Sequence, residues 1–394
     1  MKNILIILFS FFTIANSNAQ IFEWAKNTTA SNGQDYAYAM DIDNSGNICI
    51  GGIFSGTGDF DPGPGIVAGI STFSIGYISK FDPDGNLIWN KHLADDSGVS
   101  EVKDIAFTSS GDIYVVGNFQ QTIDFDFGPG VTNLTSAGSA DIFILKLDGN
   151  GNFIWVKQLS GINALDGTCI EVDVSGNIGV AGHFYGTADF NPEAGVFNLT
   201  SAGQKDFFVV KLSSAGGFIW AKRCGSSFLD ECNDLCIDNS GNFYLTGWTD
   251  QTIDFDPGPG VYNVYTSGST YVLKLNSTGD FIYVRNFIGA IANEGFTLKL
   301  DNSGSIYIGG GLYGTTDFDP GPGVYNVIPE STFDGYVVKL NSSGNFEWAQ
   351  NVGGSDEDEV YNLALDGNDN VYLTGYFSGT VDFDKSIQTA FTSS

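Results

Sequence analysis

The chain has 394 residues, 52 of them glycine, and its 46 acidic against 16 basic residues give a formal net charge of −30. The length is ample for a large core, and an apolar fraction of 42% is ordinary for a folded protein. Such a charge repels polyphosphate and anionic lipid, which excludes nucleic acid as a partner and suits a solvated surface or bound cations.

In chain order, residues 1–19 (MKNILIILFSFFTIANSNA) read as a secretory leader. Lys2 is the charged start, Ile4 to Ile14 the apolar run, and Ser17-x-Ala19 the small-residue cleavage site. The run is too short for a membrane span, and no later segment is long and apolar enough to insert. A secreted or cell-surface protein is therefore expected, in which disulfides are permitted. Five cysteines are an odd count. Cys224 and Cys232 share one loop, RCGSSFLDEC, and a local bridge between them is one expectation, with Cys236 as a competing partner. Cys49 and Cys169 fall within strand-like runs, as buried thiols do.

Beyond the leader the chain repeats. The phrase DFDPGPG stands at 59–65, 254–260 and 317–323, with DFDFGPG at 124–130, DFNPEAG at 189–195 and DFDKSIQ at 382–388. Its first aspartates are Asp59, Asp124, Asp189, Asp254, Asp317 and Asp382, at steps of 65, 65, 65, 63 and 65 residues. An aromatic column keeps the same time: Trp24, Trp89, Trp155, Trp220, Tyr283 and Trp348. One such residue per repeat, at one strand position, suits packing between repeats better than a sugar-stacking set. Each repeat has four strand-like pieces. In the second they are a, around Val102–Phe107; b, DIYVVGNF; c, DIFILKL; and d, FIWVKQL. Glycine columns at Gly46, Gly111, Gly176, Gly241 and Gly304, and at Gly85, Gly151, Gly216, Gly279 and Gly344, mark tight a–b and c–d turns. No stretch after the leader has helical periodicity. The prediction is an all-β protein of four-stranded antiparallel blades, a β-propeller over residues 20–394 with six repeats visible. The last repeat supplies only a and b before TAFTSS, whereas FEWAK near the start resembles a piece d. An incomplete final blade and a truncated sequence are expected on that account.

Runs such as MDIDNSGNICIGG, LCIDNSGNFYLTG and LALDGNDNVYLTG, followed by a Gly-Thr-x-Asp-Phe phrase, resemble the bacterial SBBP-type β-propeller repeat. The resemblance spans essentially the whole chain after the leader. Thr108 and Gly179 depart from the pattern, where Asp and Tyr are usual. It implies the propeller fold and an exported bacterial protein, of a kind that often carries a C-terminal domain for type IX secretion. It implies no ligand.

The phrase belongs to the b–c connection. Its Phe points away from the flanking acids and pins the loop to the core, and Pro-Gly turns the chain. Two readings of the acids stand. In one, the first Asp of each copy is structural, pairing either with the lysine that recurs in strand c (Lys80, Lys146, Lys211, Lys274, Lys339) or with loop amides. In the other, the second acid (Asp61, Asp126, Asp256, Asp319, Asp384, with Asn191 in the third copy) ligates Ca²⁺, a hard cation that prefers oxygen. The Asp43, Asp173, Asp238, Asp301 and Asp366 column braces the a–b turn.

No catalytic set is expected. DGNGNFIW loosely resembles the Asp-box of sialidases, but those enzymes need an arginine cluster and only Arg223 and Arg285 are present. His92 and His183, the only histidines, stand in different repeats. The expectation is an exported binding or scaffold module with an acidic loop face, taking a protein or glycan ligand, with no oligomer. A polysaccharide-active enzyme with an acid pair, or a structural segment of a larger adhesin, are the alternatives.

Overall fold

The computed structural model describes residues 6–7, 24–31, 33–93, 98–384 and 389–392. The leader, apart from Ile6–Ile7, and residues 385–388 of the sixth phrase lie outside them. Among the described residues every regular element is a strand, and no helix is long and apolar enough to cross a membrane.

The chain divides into two compact halves, Ala19–Arg223 and Cys224–Ser394 with Met1–Asn18. Three repeats belong to the N-terminal half. Their strands a to d are Asp35–Ile42, Ile48–Asp59, Ala68–Phe81 and Leu87–Leu93; then Val99–Phe107, Ile113–Gln120, Asp141–Leu147 and Phe153–Gly161; then Leu165–Val172, Ile178–Asp189, Asn198–Leu212 and Phe218–Cys224. In the C-terminal half the fourth and fifth repeats are complete: Asp230–Ile237, Phe243–Asp254, Asn263–Leu275 and Phe281–Asn286; Asn293–Leu300, Ile306–Leu312, Asp334–Leu340 and Phe346–Val352. The sixth has a (Asp358–Leu365) and b (Val371–Phe377), then a hairpin of Thr380–Asp384 with Thr389–Thr392. The all-β class and the four-stranded antiparallel repeat are those predicted.

Turn chemistry explains the regularity. In the first a–b turn Asp43 Oδ1 accepts the N–H of Ser45 and of Asn47, each at 2.9 Å, and Oδ2 accepts the Asn47 amide at 2.8 Å. Gly46 closes that turn at φ +79°, a left-handed conformation natural to glycine. Asp173, Asp238, Asp301 and Asp366 make the same turn, as the sequence predicted. The b and c strands are buried on both faces; Ile113, Tyr114, Val115, Val116, Ile142, Phe143, Ile144 and Leu145 are all fully inaccessible. Among the described residues strand a pairs with b alone within its sheet, and in all six repeats a bulge interrupts that pairing.

Candidate functional site

The acidic phrase forms one loop, built five times in nearly the same way. Asp59 Oδ1 accepts the N–H of Asp61 at 3.1 Å and of Val67 at 2.9 Å, which ties the two ends of the loop together. Asp124, Asp189, Asp254 and Asp317 do the same. Asp61 Oδ1 accepts the Gly63 N–H at 2.8 Å, and a Cβ added at Gly65 would lie 2.1 Å from Asp61 Oδ2, so the carboxylate occupies the space that glycine leaves. Phe60, Phe125, Phe190, Phe255 and Phe318 are buried beneath the loops, as predicted. Phe125 meets Phe119 edge-on at 5.5 Å and Phe143 at 5.0 Å. The loop also bridges repeats: Ser160 at the end of one strand d pairs with Asp189 of the next phrase, and Ile288 pairs with Asp317. The phrase is thus a clasp. At its tip stand Ile66, Val131, Val196, Val261 and Val324, each more than 70% exposed. The side chains of Asp382 and Asp384 lie outside the described residues.

The lysine expectation is corrected by the structure. Strand-c lysines pair with the a–b turn and not with the phrase: Lys80–Asp43 and Lys211–Asp173 at 3.0 Å, Lys339–Asp301 at 3.6 Å and Lys274–Asp238 at 3.9 Å. In the second repeat Thr108 replaces the turn aspartate, and Lys146 finds Asp112 at 3.0 Å instead. The first Asp of the phrase serves loop amides, the other half of that expectation. Burial pushes the Asp43 carboxyl up, but hydrogen bonds from Asn47, Lys80 and Ser45 outweigh it and hold the group at about 2.

Calcium fits the loop poorly. One oxygen of each leading acid is committed to two N–H groups and one oxygen of the second acid to a third. Asn191 makes the same contact as Asp61 without charge, accepting the Glu193 N–H at 3.0 Å. Among the described residues no three His, Cys, Asp or Glu side chains are grouped to hold a metal ion. The Cys224–Cys232 bridge is a second correction. All five cysteines are buried and reduced; Cys224 Sγ faces the Phe255 carbonyl at 3.7 Å, and Cys232 Sγ that of Asp234 at 3.6 Å.

The sequence reading missed the bulges of strand a. The residue passed over by each bulge is Tyr38, Lys103, Thr168, Asn233, Phe296 or Tyr361, a different type in almost every repeat. Two positions before it runs a column of Tyr36 and then acids: Glu101, Asp166, Glu231, Glu294 and Glu359. A bulge re-aims side chains and is common beside binding sites. In the N-terminal half Tyr36 and Tyr38 stack at 6.0 Å with rings 13° apart, and each is 46% exposed. Lys103 pairs with Glu101 at 3.0 Å and lies over the Tyr38 ring at 5.5 Å. Asp166 is met by His183 Nε2 at 3.3 Å and by the Asn118 amide. Burial raises its carboxyl, but His183, Lys103 and Asn118 together hold it well below the usual carboxylate range. In the C-terminal half the Asn233 amide donates to Glu294 at 3.1 Å, and Phe296 meets Tyr361 at 6.1 Å with Tyr361 half exposed. The signal available in the sequence was a strand-a column that varies in type within a repeat whose turn and loop columns hardly change.

No family model matches the chain. It is 24% identical over 254 residues to an uncharacterized WD repeat-containing protein of Acanthamoeba polyphaga mimivirus, covering 59% of this chain and 14% of that one. It is 22% identical over 303 residues to the regulatory protein FlaEY of Caulobacter vibrioides, covering 71% of this chain and 30% of that protein. The chain therefore spans less than a third of either relative. Among solved structures, the WD40 domain of Neurospora crassa Pan2 is similar at a TM-score of 0.33 and 12% identity, with 86% of this chain and 88% of that one covered. A Bacteroides caccae protein of unknown function is similar at a TM-score of 0.34 and 10% identity, with 70% and 89% covered.

Proposed function

We propose that the chain is an exported binding or scaffold module of SBBP-type repeats, which reads its partner with the bulged strand a of its sheets. The observation that carries this is the contrast between columns. The clasp loops and turns are nearly invariant from repeat to repeat, while the bulged residue changes and, in five of the six repeats, follows an acid by two positions. An invariant frame holding variable side chains, with Tyr38 and Tyr361 exposed and the others half-buried, is the layout of a recognition surface. Exposed tyrosines offer flat faces, and the flanking carboxylates favour a ligand with cationic groups. A polypeptide segment carrying lysine or arginine satisfies both features. The leader supports export.

Arrays of cationic peptides and of glycans, screened with the purified protein, test this reading. Cationic peptides should bind, with affinity falling as salt rises. The double substitution Tyr36→Ala/Tyr38→Ala should weaken binding at least tenfold while leaving the thermal midpoint unchanged. Unaltered binding by that variant would sink the assignment of this surface. Preference for neutral glycans would instead turn the ligand class towards carbohydrate.

A further inference from the structure

The fifth repeat departs from the others at one place. Strand b sets a side chain opposite the first column of strand a: Ile53 opposite Tyr36, Asn118 opposite Glu101, His183 opposite Asp166, Trp248 opposite Glu231 and Tyr376 opposite Glu359. In the fifth repeat the residue opposite Glu294 is Gly311. A Cβ there would lie 2.4 Å from the Phe333 ring, so the ring takes the space that glycine leaves. Phe333 stands where the other complete repeats have Ser74, Ala140, Lys205 and Ser269. It is buried, and its ring centre lies 4.0 Å from that of Tyr313 with the planes 33° apart. At the place of Tyr313 those repeats have Ser55, Gln120, Tyr185 and Asp250, so none of them pairs two aromatic rings here.

Tyr313 is 43% exposed. Its N–H donates to the Ala292 carbonyl at 2.8 Å, which carries the a–b ladder one residue past Leu312. Side chains two apart on a strand share a face, so Tyr313 and Glu294 are diagonal neighbours across the ladder. Two further acids approach the ring from the sixth repeat. Burial, and then the charges of Glu359, Glu294 and Glu357, push the Tyr313 hydroxyl above its ordinary value. Glu294 and Glu359 are half-buried, and Glu357 is exposed.

In the N-terminal half the chain answers this acid column with its own cations, Lys103 for Glu101 at 3.0 Å and His183 for Asp166 at 3.3 Å. In the C-terminal half the described basic side chains are Lys274, Arg285, Lys299 and Lys339, and all four are engaged elsewhere. Lys274 meets Asp238, Lys299 meets Asp234, and Lys339 meets Asp301 and Glu347. Arg285 donates to the Gly344 and Ser343 carbonyls.

We infer that Tyr313, with Glu294, Glu357 and Glu359 around it, seats an arginine side chain of a polypeptide ligand. The inference rests on strand a being a recognition surface for cationic polypeptides, and it says where and how the cation is held. A guanidinium is planar: it stacks on an aromatic face while its N–H fork pairs with carboxylates, so one flat ring bordered by acids suits it. A lysine ammonium is a compact, strongly hydrated charge and gains less from such a ring. Stacking on buried Phe333 holds Tyr313 in position before the ligand arrives, which lowers the ordering cost of binding.

The probe is a rhodamine-labelled peptide, GSGRGSG, with counterparts carrying lysine or citrulline in place of arginine. Each is titrated into the full chain at low salt and followed by anisotropy. Citrulline keeps the planar shape and removes the charge. The arginine peptide should bind saturably, at least tenfold more tightly than the citrulline peptide and more tightly than the lysine one. Tyr313→Leu and Glu359→Gln should each weaken it at least fivefold, whereas Tyr313→Phe, which keeps the ring, should bind as the parent does. Glu359→Gln keeps the shape of a half-buried side chain, so the test stands even if Tyr313→Leu fails to fold. Equal affinity for the arginine and citrulline peptides, a lysine peptide that binds as tightly as arginine, or parental affinity in Glu359→Gln overturns the proposal. The two readings fail apart. Cationic peptides that are weakened by Tyr36→Ala/Tyr38→Ala but not by the Tyr313 and Glu359 variants overturn this seat alone, whereas binding of no cationic peptide at all overturns both.

Discussion

In the loop 59–65 Asp61 accepts the Gly63 N–H at 2.8 Å, and in the loop 189–195 Asn191 accepts the Glu193 N–H at 3.0 Å. The leading aspartates, Asp59 and Asp189, hold the same two N–H groups in both loops, at 2.8–3.1 Å. Phe60 and Phe190 lie buried beneath them alike. One loop carries a carboxylate where the other has an amide, and one has Gly63-Pro64 where the other has Glu193-Ala194, yet both close. The comparison separates what the clasp needs from what it tolerates. It needs an acceptor oxygen at two positions and a buried ring between them. Charge at the second position is dispensable, because a carbonyl oxygen of an amide accepts an N–H nearly as well.

The ring should matter most. Phe125→Ala removes a fully buried side chain lodged between Phe119 and Phe143. Chemical denaturation should show a loss of about 3–5 kcal/mol, the usual cost of emptying an aromatic site. A loss below about 1 kcal/mol would mean that the loop is not pinned by its phenylalanine.

Next in size is the turn that the lysines brace. Asp43 is held at about 2, below the ordinary value of about 3.9. A depressed folded value stabilises the protein above the unfolded pKa, and that contribution disappears as pH falls through the folded one. Asp43→Asn should therefore cost about 2 kcal/mol at neutral pH. The gap between variant and parent should close as pH falls from about 4 towards 2, measured by urea midpoints at each pH. A gap that stayed constant to pH 2 would mean the Lys80 pairing contributes through packing and not through charge.

Smaller again is Asp124→Ala, which takes the acceptor from the N–H groups of Asp126 and Thr132. Both amides lie on exposed loop backbone, where water replaces part of the loss, so about 1–2 kcal/mol is expected from thermal or denaturant unfolding. An unchanged midpoint would show that the loop ends are held by Phe125 alone.

These three effects also mark what could be seen in the sequence. Turn glycines, the a–b aspartate column and the pinned phenylalanines were legible because their chemistry is local, fixed by residues two to four apart. The lysine's true partner was not, since Lys80 meets Asp43 only through the register of strands c and b, where Lys80 lies opposite Cys49 beneath the turn. The bulge that passes over Tyr38 and Lys103 was hidden for a related reason: it breaks the alternation on which strand reading rests. Cys224 and Cys232 looked like one loop, but they sit at the end of strand d and inside the next strand a, each turned to a different carbonyl.

The smallest effect is the sharpest test of the comparison. Asp126 accepts the Gly128 N–H at 2.8 Å, and a Cβ at Gly130 would lie 2.1 Å from its other oxygen, so the residue fills a slot that an amide of the same shape also fills in the third copy. Asp126→Asn should change stability by less than about 0.5 kcal/mol, and millimolar Ca²⁺ against EDTA should leave the thermal midpoint of parent and variant alike. If the second acids ligated calcium, a hundredfold excess of the ion over its dissociation constant would stabilise the parent by about 2.7 kcal/mol, and the variant would lose part of that gain. A calcium-dependent rise that shrinks in Asp126→Asn would convert the clasp into a metal site and make Asn191 the one copy that has lost it.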